Sequence, residues 1–124
     1  MRVTTGTITS RFGMRMHPID KVMKMHRGVD ISAPIGTPVY CPRDGQVVAA
    51  GFSKSEGNYV RVRSGELIFV FMHLSAYSVA TGHKVRKRQQ IGKVGNTGHT
   101  TAPHLHFEVH RNLVPVNPEP YIEF

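Results

Sequence analysis

Cysteine occurs once in this chain, at Cys41, so no internal disulfide can staple the fold. No stretch approaches the ~18 uninterrupted apolar residues of a membrane-spanning helix. The opening Met1-Arg2-Val3-Thr4-Thr5-Gly6 lacks the apolar core of a signal peptide. A role outside the cytoplasm therefore implies another delivery route, such as phage delivery of a cytoplasmically made enzyme, or an upstream region. No window carries a long 3.6-period apolar face, which argues against helices as the organising elements. Acidic residues are few: eight Asp and Glu against sixteen Lys and Arg, a formal net charge of +8. That imbalance implies a polyanionic partner. The basic residues concentrate between Arg11 and Arg27 and in His83-Lys84-Val85-Arg86-Lys87-Arg88. Few aromatics accompany them, and no helix-turn-helix, zinc-finger or RNP-like pattern does, so nucleic acid is not the expected partner. Internal repeats and low-complexity segments are also lacking. At 124 residues the chain is long enough for one domain with a real core and too short for two.

What is present is a succession of short β-branched or aromatic runs between glycines and prolines: Val39 to Cys41, Gln46 to Ala50, Tyr59 to Arg63, Leu67 to Met72, Ile91 to Val94 and His104 to Val109. Ser64-Gly65 between two of them reads as a tight hairpin. The pattern predicts an all-β chain, a small sandwich or partly open barrel. The tail from Val114 to Pro120, with three prolines, is expected to be extended and irregular. Cys41 lies in a predicted strand and reads as a small buried hydrophobe rather than a nucleophile.

The chain is organised around Ala102-Pro103-His104-Leu105-His106-Phe107-Glu108-Val109. Leu105, Phe107 and Val109 alternate with His104, His106 and Glu108, the period of a half-buried strand. His104 and His106 then project from one face, their Cβ atoms roughly 7 Å apart. A second cluster, His26-Arg27-Gly28-Val29-Asp30, sets an imidazole and a carboxylate four residues apart. That spacing shares a face on a helix and on a strand alike, and Gly28, Val29 and Ile31 favour the extended form. Imidazole nitrogen and carboxylate oxygen are both zinc ligands. Three protein ligands with one open position is the pattern of a catalytic zinc site, and His26, Asp30 and one of the two strand histidines would supply it. A further histidine, His73, ends the apolar run Leu67 to Met72, where capping by a backbone carbonyl is the ordinary role.

These residues resemble the lysostaphin/LytM-type zinc metallopeptidases, peptidase family M23, over nearly the whole chain from about Ile8 to Tyr121. The resemblance runs through Ser10-Arg11-Phe12-Gly13-Met14-Arg15 with His17-Pro18, the His26-to-Asp30 element, Gly57-Asn58-Tyr59-Val60, His73-Leu74-Ser75, Gly95-Asn96-Thr97-Gly98 and Pro103-His104-Leu105-His106. It implies one catalytic domain over residues 1–124, built on an antiparallel β-sheet with a groove floored by the metal. It implies Zn2+ held by His26, Asp30 and His106, with His73 and His104 as the catalytic histidines. Asn58 and His17 become candidate substrate-groove residues. The chain has no His-Glu-x-x-His, so histidine takes the place of the glutamate base that motif supplies.

The implied substrate is peptidoglycan, an anionic wall that suits the basic charge, cleaved by a monomer in the periplasm or cell wall without membrane insertion. The favoured bond is D-Ala–meso-diaminopimelate, with a lysostaphin-like pentaglycine bridge as the alternative. A phage lysin or virion-associated enzyme, a non-catalytic LytM-type activator of wall hydrolases, and a biotinyl or lipoyl carrier domain are the other readings. Val22-Met23-Lys24-Met25 resembles the modified turn of such carriers, but carriers have no use for the His26/Asp30/His106 set. Three positions depart from the family pattern: Phe71 where tyrosine is frequent, and Arg88 and Ala102 where glycine is.

Overall fold

The structure is a computed structural model that describes residues 2–16, 21–98, 100 and 102–122. Twelve strands run in chain order: β1 Thr7–Ser10, β2 Gly13–Met16, β3 Met23–His26, β4 Val29–Ser32, β5 Pro38–Tyr40, β6 Gly45–Ser53, β7 Gly57–Ser64, β8 Leu67–Tyr77, β9 Lys84–Val85, β10 Gln90–Val94, β11 His104–Arg111 and β12 Val114–Val116. Among the described residues there is no α-helix, and no helix long and apolar enough to cross a membrane.

Ten strands form one antiparallel sheet in the order β1-β4-β11-β8-β7-β6-β9, with β12 added to β11 and β10 bridging β8 to β5. The path does not close, so the sheet is open rather than a closed barrel. The other two strands, β2 and β3, make a separate antiparallel ribbon. Phe107 centres the core. Its ring lies 5.1 Å from that of Phe71 and 6.1 Å from that of Phe69, centroid to centroid, and all three are fully buried. Leu105 and Val109 are buried on the same face of β11, as the alternation requires. Phe71 is thus a core residue and not a groove residue.

The predicted runs all fall within strands or overlap them, and the hairpin is there: Ser64 pairs with Leu67 across Gly65-Glu66, with Gly65 at φ 62°. Cys41 is buried, its thiol donating to the Arg43 carbonyl at 3.0 Å.

Three expectations are corrected. The tail is not irregular throughout. Val114–Val116 adds an edge strand to β11, a position that tolerates Pro115, and Glu119–Tyr121 makes a 3-10 turn. Met23-Lys24-Met25 lies inside strand β3 and not at a turn. Most important for the site, His26 and Asp30 do not share one element. His26 ends the β2–β3 ribbon, Asp30 lies in β4 of the large sheet, and the chain bends between them at Arg27-Gly28. Gly28 is pressed on β11 so closely that a Cβ there would lie 2.3 Å from the Phe107 carbonyl oxygen.

Candidate metal centre

Strand pairing brings the candidate ligands together. In the β4–β11 register His106 lies directly opposite Asp30, and His104 opposite Ser32. Asp30 Oδ1 is 2.7 Å from His106 Nδ1 and 3.7 Å from His104 Nε2, while Asp30 Oδ2 is 3.3 Å from His26 Nε2. One donor atom from each of His26, Asp30 and His106 fits within a mutual span of 4.8 Å.

His73 reaches the cluster through an irregularity in β8. Strand β7 pairs Val60 with Phe71 and then Asn58 with Leu74, so β8 carries one residue more than its partner between these pairs. His73 sits in that bulge at φ 65°, its N–H donating to the Glu56 carbonyl at 2.8 Å. The strand does not end at His73, as the sequence suggests, but runs on to Tyr77. The bulge turns the imidazole so that its centroid lies 5.0 Å from that of His104 and 6.2 Å from that of His106. A shallow depression of about 330 Å³ opens here, lined by Ser55, Glu56, Met72, His73 and His106.

The hydrogen bonds show which ring nitrogens carry protons, because a carbonyl or carboxylate oxygen can only accept. His26 Nδ1 donates to the Arg11 carbonyl at 2.9 Å, His73 Nδ1 to the Thr97 carbonyl at 2.9 Å, and His104 Nδ1 to the Ala102 carbonyl at 2.8 Å. Each therefore keeps Nε2 free. His106 differs: its Nε2 donates to Glu108 Oε2 at 2.7 Å and its Nδ1 to Asp30 Oδ1 at 2.7 Å, so both of its nitrogens carry protons while no ion is bound.

The charges follow from these contacts. Burial alone would raise the carboxyl of Asp30, but the hydrogen bonds and charges of His106 and His26 hold it well below the usual carboxylate range. Burial likewise opposes charge on His106, yet the flanking Asp30 and Glu108 carboxylates push its pKa up to about 9. His73 moves the other way: burial lowers it, against the Thr97 carbonyl, so the ring is neutral at neutral pH.

The donor set fits zinc. It offers one carboxylate and imidazole nitrogens whose opposite nitrogens are already fixed by hydrogen bonds, as metal-ligating histidines commonly are. The other candidates fall elsewhere. Asn58 Nδ2 donates to the Leu74 carbonyl at 2.9 Å, and the Asn58 backbone N–H donates to Thr97 Oγ1 at 3.1 Å. Its amide nitrogen thus ties β7 to β8 beside His73. His17 and His99 lie outside the described residues. His83 accepts the Ala80 N–H in the turn before β9. Sequence reasoning missed Glu108, placing it only as a polar strand residue. The signal was present in the unbroken polar alternation His104, His106, Glu108, His110 on one face.

Comparison with known proteins agrees with this geometry. Residues 24–118 match the family model described as peptidase family M23. The chain is 46% identical over 112 residues to the DD-carboxypeptidase/endopeptidase Mpg of Neisseria meningitidis, covering 90% of this chain and 26% of that protein. A zinc-containing peptidase from Vibrio cholerae superimposes with a TM-score of 0.86 at 35% identity, over 96% of this chain and 36% of the other. The catalytic domain of the antimicrobial peptidase lysostaphin from Staphylococcus simulans gives 0.82 at 35% identity, over 94% and 91%. The chain thus spans about a quarter of the length of the curated relatives it matches.

Proposed function

This chain belongs to peptidase family M23, and we propose that residues 1–124 act as one zinc-dependent endopeptidase domain cleaving peptide cross-links of bacterial peptidoglycan. The observation that carries the reading is the convergence of His26 Nε2, Asp30 and His106 Nδ1, each ring with its other nitrogen engaged elsewhere. In this reading those three residues hold the ion. Zinc held there would supply a Lewis acid for a scissile carbonyl and acidify a bound water. His73 and His104 present free Nε2 atoms beside that three-residue cluster. The neutral His73 ring can take a proton there, and either histidine, once protonated, can donate to the oxygen on which charge develops. The carbonyls of Thr97 and Ala102 keep both rings from turning the wrong nitrogen inward.

The bond we favour is D-Ala–meso-diaminopimelate. The Phe12-Gly13-Met14-Arg15 and Lys24-Met25-His26 stretches resemble relatives that act on directly cross-linked walls, and the Neisseria relative is named for DD-carboxypeptidase and endopeptidase activity. The net charge of +8 suits an anionic wall met in the periplasm or cell wall by a monomer.

Digestion of purified sacculi, with mass spectrometry of the released fragments, tests all of this. The expected outcome is chelator-sensitive, zinc-restored scission of the D-Ala–meso-diaminopimelate bond. Cleavage confined to pentaglycine bridges would reassign the substrate. Stoichiometric zinc without hydrolysis of either wall type would turn the chain into a binding or activating relative.

A further inference from the structure

Downstream of His106 on the same face of β11, Glu108 is buried and uses both of its oxygens. Oε2 accepts the His106 Nε2–H at 2.7 Å and Oε1 accepts the His110 Nε2–H at 2.6 Å. The Glu108 side chain is 8% exposed, and that of His110 is 24% exposed. We propose that Glu108 is a positioning residue for the metal centre, and that His110 is the clamp that holds Glu108 in place. The proposal rests on the reading of His106 as a zinc ligand.

The chemistry is that of an outer carboxylate. By accepting from Nε2–H, Glu108 holds the ring's orientation and keeps the proton on Nε2, so that Nδ1, 2.7 Å from Asp30 Oδ1, is the nitrogen that exchanges its proton for an ion, and it makes that nitrogen a stronger ligand. A free carboxylate two residues from a metal ligand could itself swing onto the ion and displace Asp30. With Oε1 tied to His110 at the far end of the row, Glu108 has no oxygen to spare for that role. The alternation of a strand brings this about: 104, 106, 108 and 110 share a face, so a carboxylate at 108 falls between two imidazoles. No buried side-chain nitrogen or oxygen among the described residues is left without a partner, and substitution at 108 takes the acceptor from His106 Nε2 and His110 Nε2 at once.

The test is zinc affinity, measured on the full chain by competition with a chromogenic chelator, with thermal unfolding of each metal-free variant beside it. Glu108→Gln keeps the shape but can offer its single oxygen to only one histidine, and it should weaken zinc binding ten- to a hundredfold. His110→Ala should weaken binding several-fold, and His110→Gln, which restores a donor near the same place, should recover most of that loss. In a Glu108→Gln background His110→Ala should have much less effect, because the clamp then has nothing to clamp. A purely structural ion pair would instead lower the unfolding temperature while leaving the zinc affinity of the folded protein unchanged. Wild-type affinity in folded Glu108→Gln, or in His110→Ala should Glu108→Gln fail to fold, would overturn the proposal. A wild-type chain that takes no zinc would overturn the metal reading itself, and is distinguishable because it appears before any variant is made.

Discussion

Asp30 Oδ1 lies 2.7 Å from His106 Nδ1 although 76 residues separate them in the chain. The contact exists because β4 and β11 are neighbours, with Asp30 and His106 paired in register and Val29 and Phe107 buried on the opposite face. Core packing therefore sets the geometry of the candidate metal site. A slip of one residue in either strand would turn its polar side chains into the core.

The division of roles among the histidines gives the first prediction. His106→Ala removes a donor from the three-residue set and should abolish both zinc retention and hydrolysis. His73→Ala leaves that set whole and should retain zinc at wild-type stoichiometry, while turnover of sacculi falls by about 10²- to 10⁴-fold. Metal analysis of the purified variants, paired with fragment release, separates the two. Full turnover in the His73 variant would remove it from the mechanism.

The charge on His106 gives a second prediction, for the metal-free protein. A folded-state pKa of about 9, against an unfolded value near 6.5, means that the ring contributes stability fully below pH 6.5 and loses it as pH rises through 9. Asp30 and Glu108 are lowered, so their contributions are fully present above the ordinary carboxylate range and are lost as pH falls from it through their lower folded-state values. Chelator-treated protein should therefore melt at its highest temperature in mildly acidic buffer and at progressively lower ones between pH 6.5 and 9. Zinc-loaded protein should not follow that decline, because a ligating Nδ1 carries no proton to lose. The same scan on His106→Gln supplies the baseline, and a flat metal-free profile across this window would contradict the charge assignment.

Gly28 makes the third case. A methyl there would meet the Phe107 carbonyl oxygen at 2.3 Å and the Glu108 side chain at 2.9 Å, and backbone cannot yield as a flexible side chain can. Gly28→Ala should cost about 1–3 kcal/mol in denaturant unfolding. It should also weaken zinc binding, because the bend it disturbs joins His26 to Asp30. Loss of stability with unchanged zinc affinity would show that the bend does not set the distance between the two.

Why some of this was legible and some was not follows from where the constraints act. Strand β11 is readable because its apolar face must fill the core, and the period of two then fixes His104 and His106 together. The contact between His26 and Asp30 was expected, but for the wrong reason, since a four-residue spacing looks like one element until Gly28 is seen against Phe107. Strands β1 to β3 are short and largely exposed, so no apolar alternation announces them. The bulge at His73 is a mismatch of length between two strands and is written in neither one alone. Glu108 reads in sequence like any polar residue on a solvated face, because the groups that meet it include Gly28, 80 residues earlier in the chain.

Arg88 supplies the last prediction. It departs from the family's frequent glycine and stands at φ 74° in the turn before β10, a region that costs a residue with a Cβ about 1–2 kcal/mol. Its backbone N–H donates to the Cys41 carbonyl at 2.8 Å, a bond any residue but proline would keep. Glycine relieves the strain but adds freedom to the unfolded chain, so Arg88→Gly should gain about 0.5–1 kcal/mol net. Removing one charge from Arg86-Lys87-Arg88 could stabilise by itself, and Arg88→Ala separates the two causes. Alanine loses the charge and keeps the Cβ, so a conformational origin requires gain in the glycine variant alone. Equal gains in both, measured by chemical denaturation at two salt concentrations, would assign the effect to charge repulsion instead.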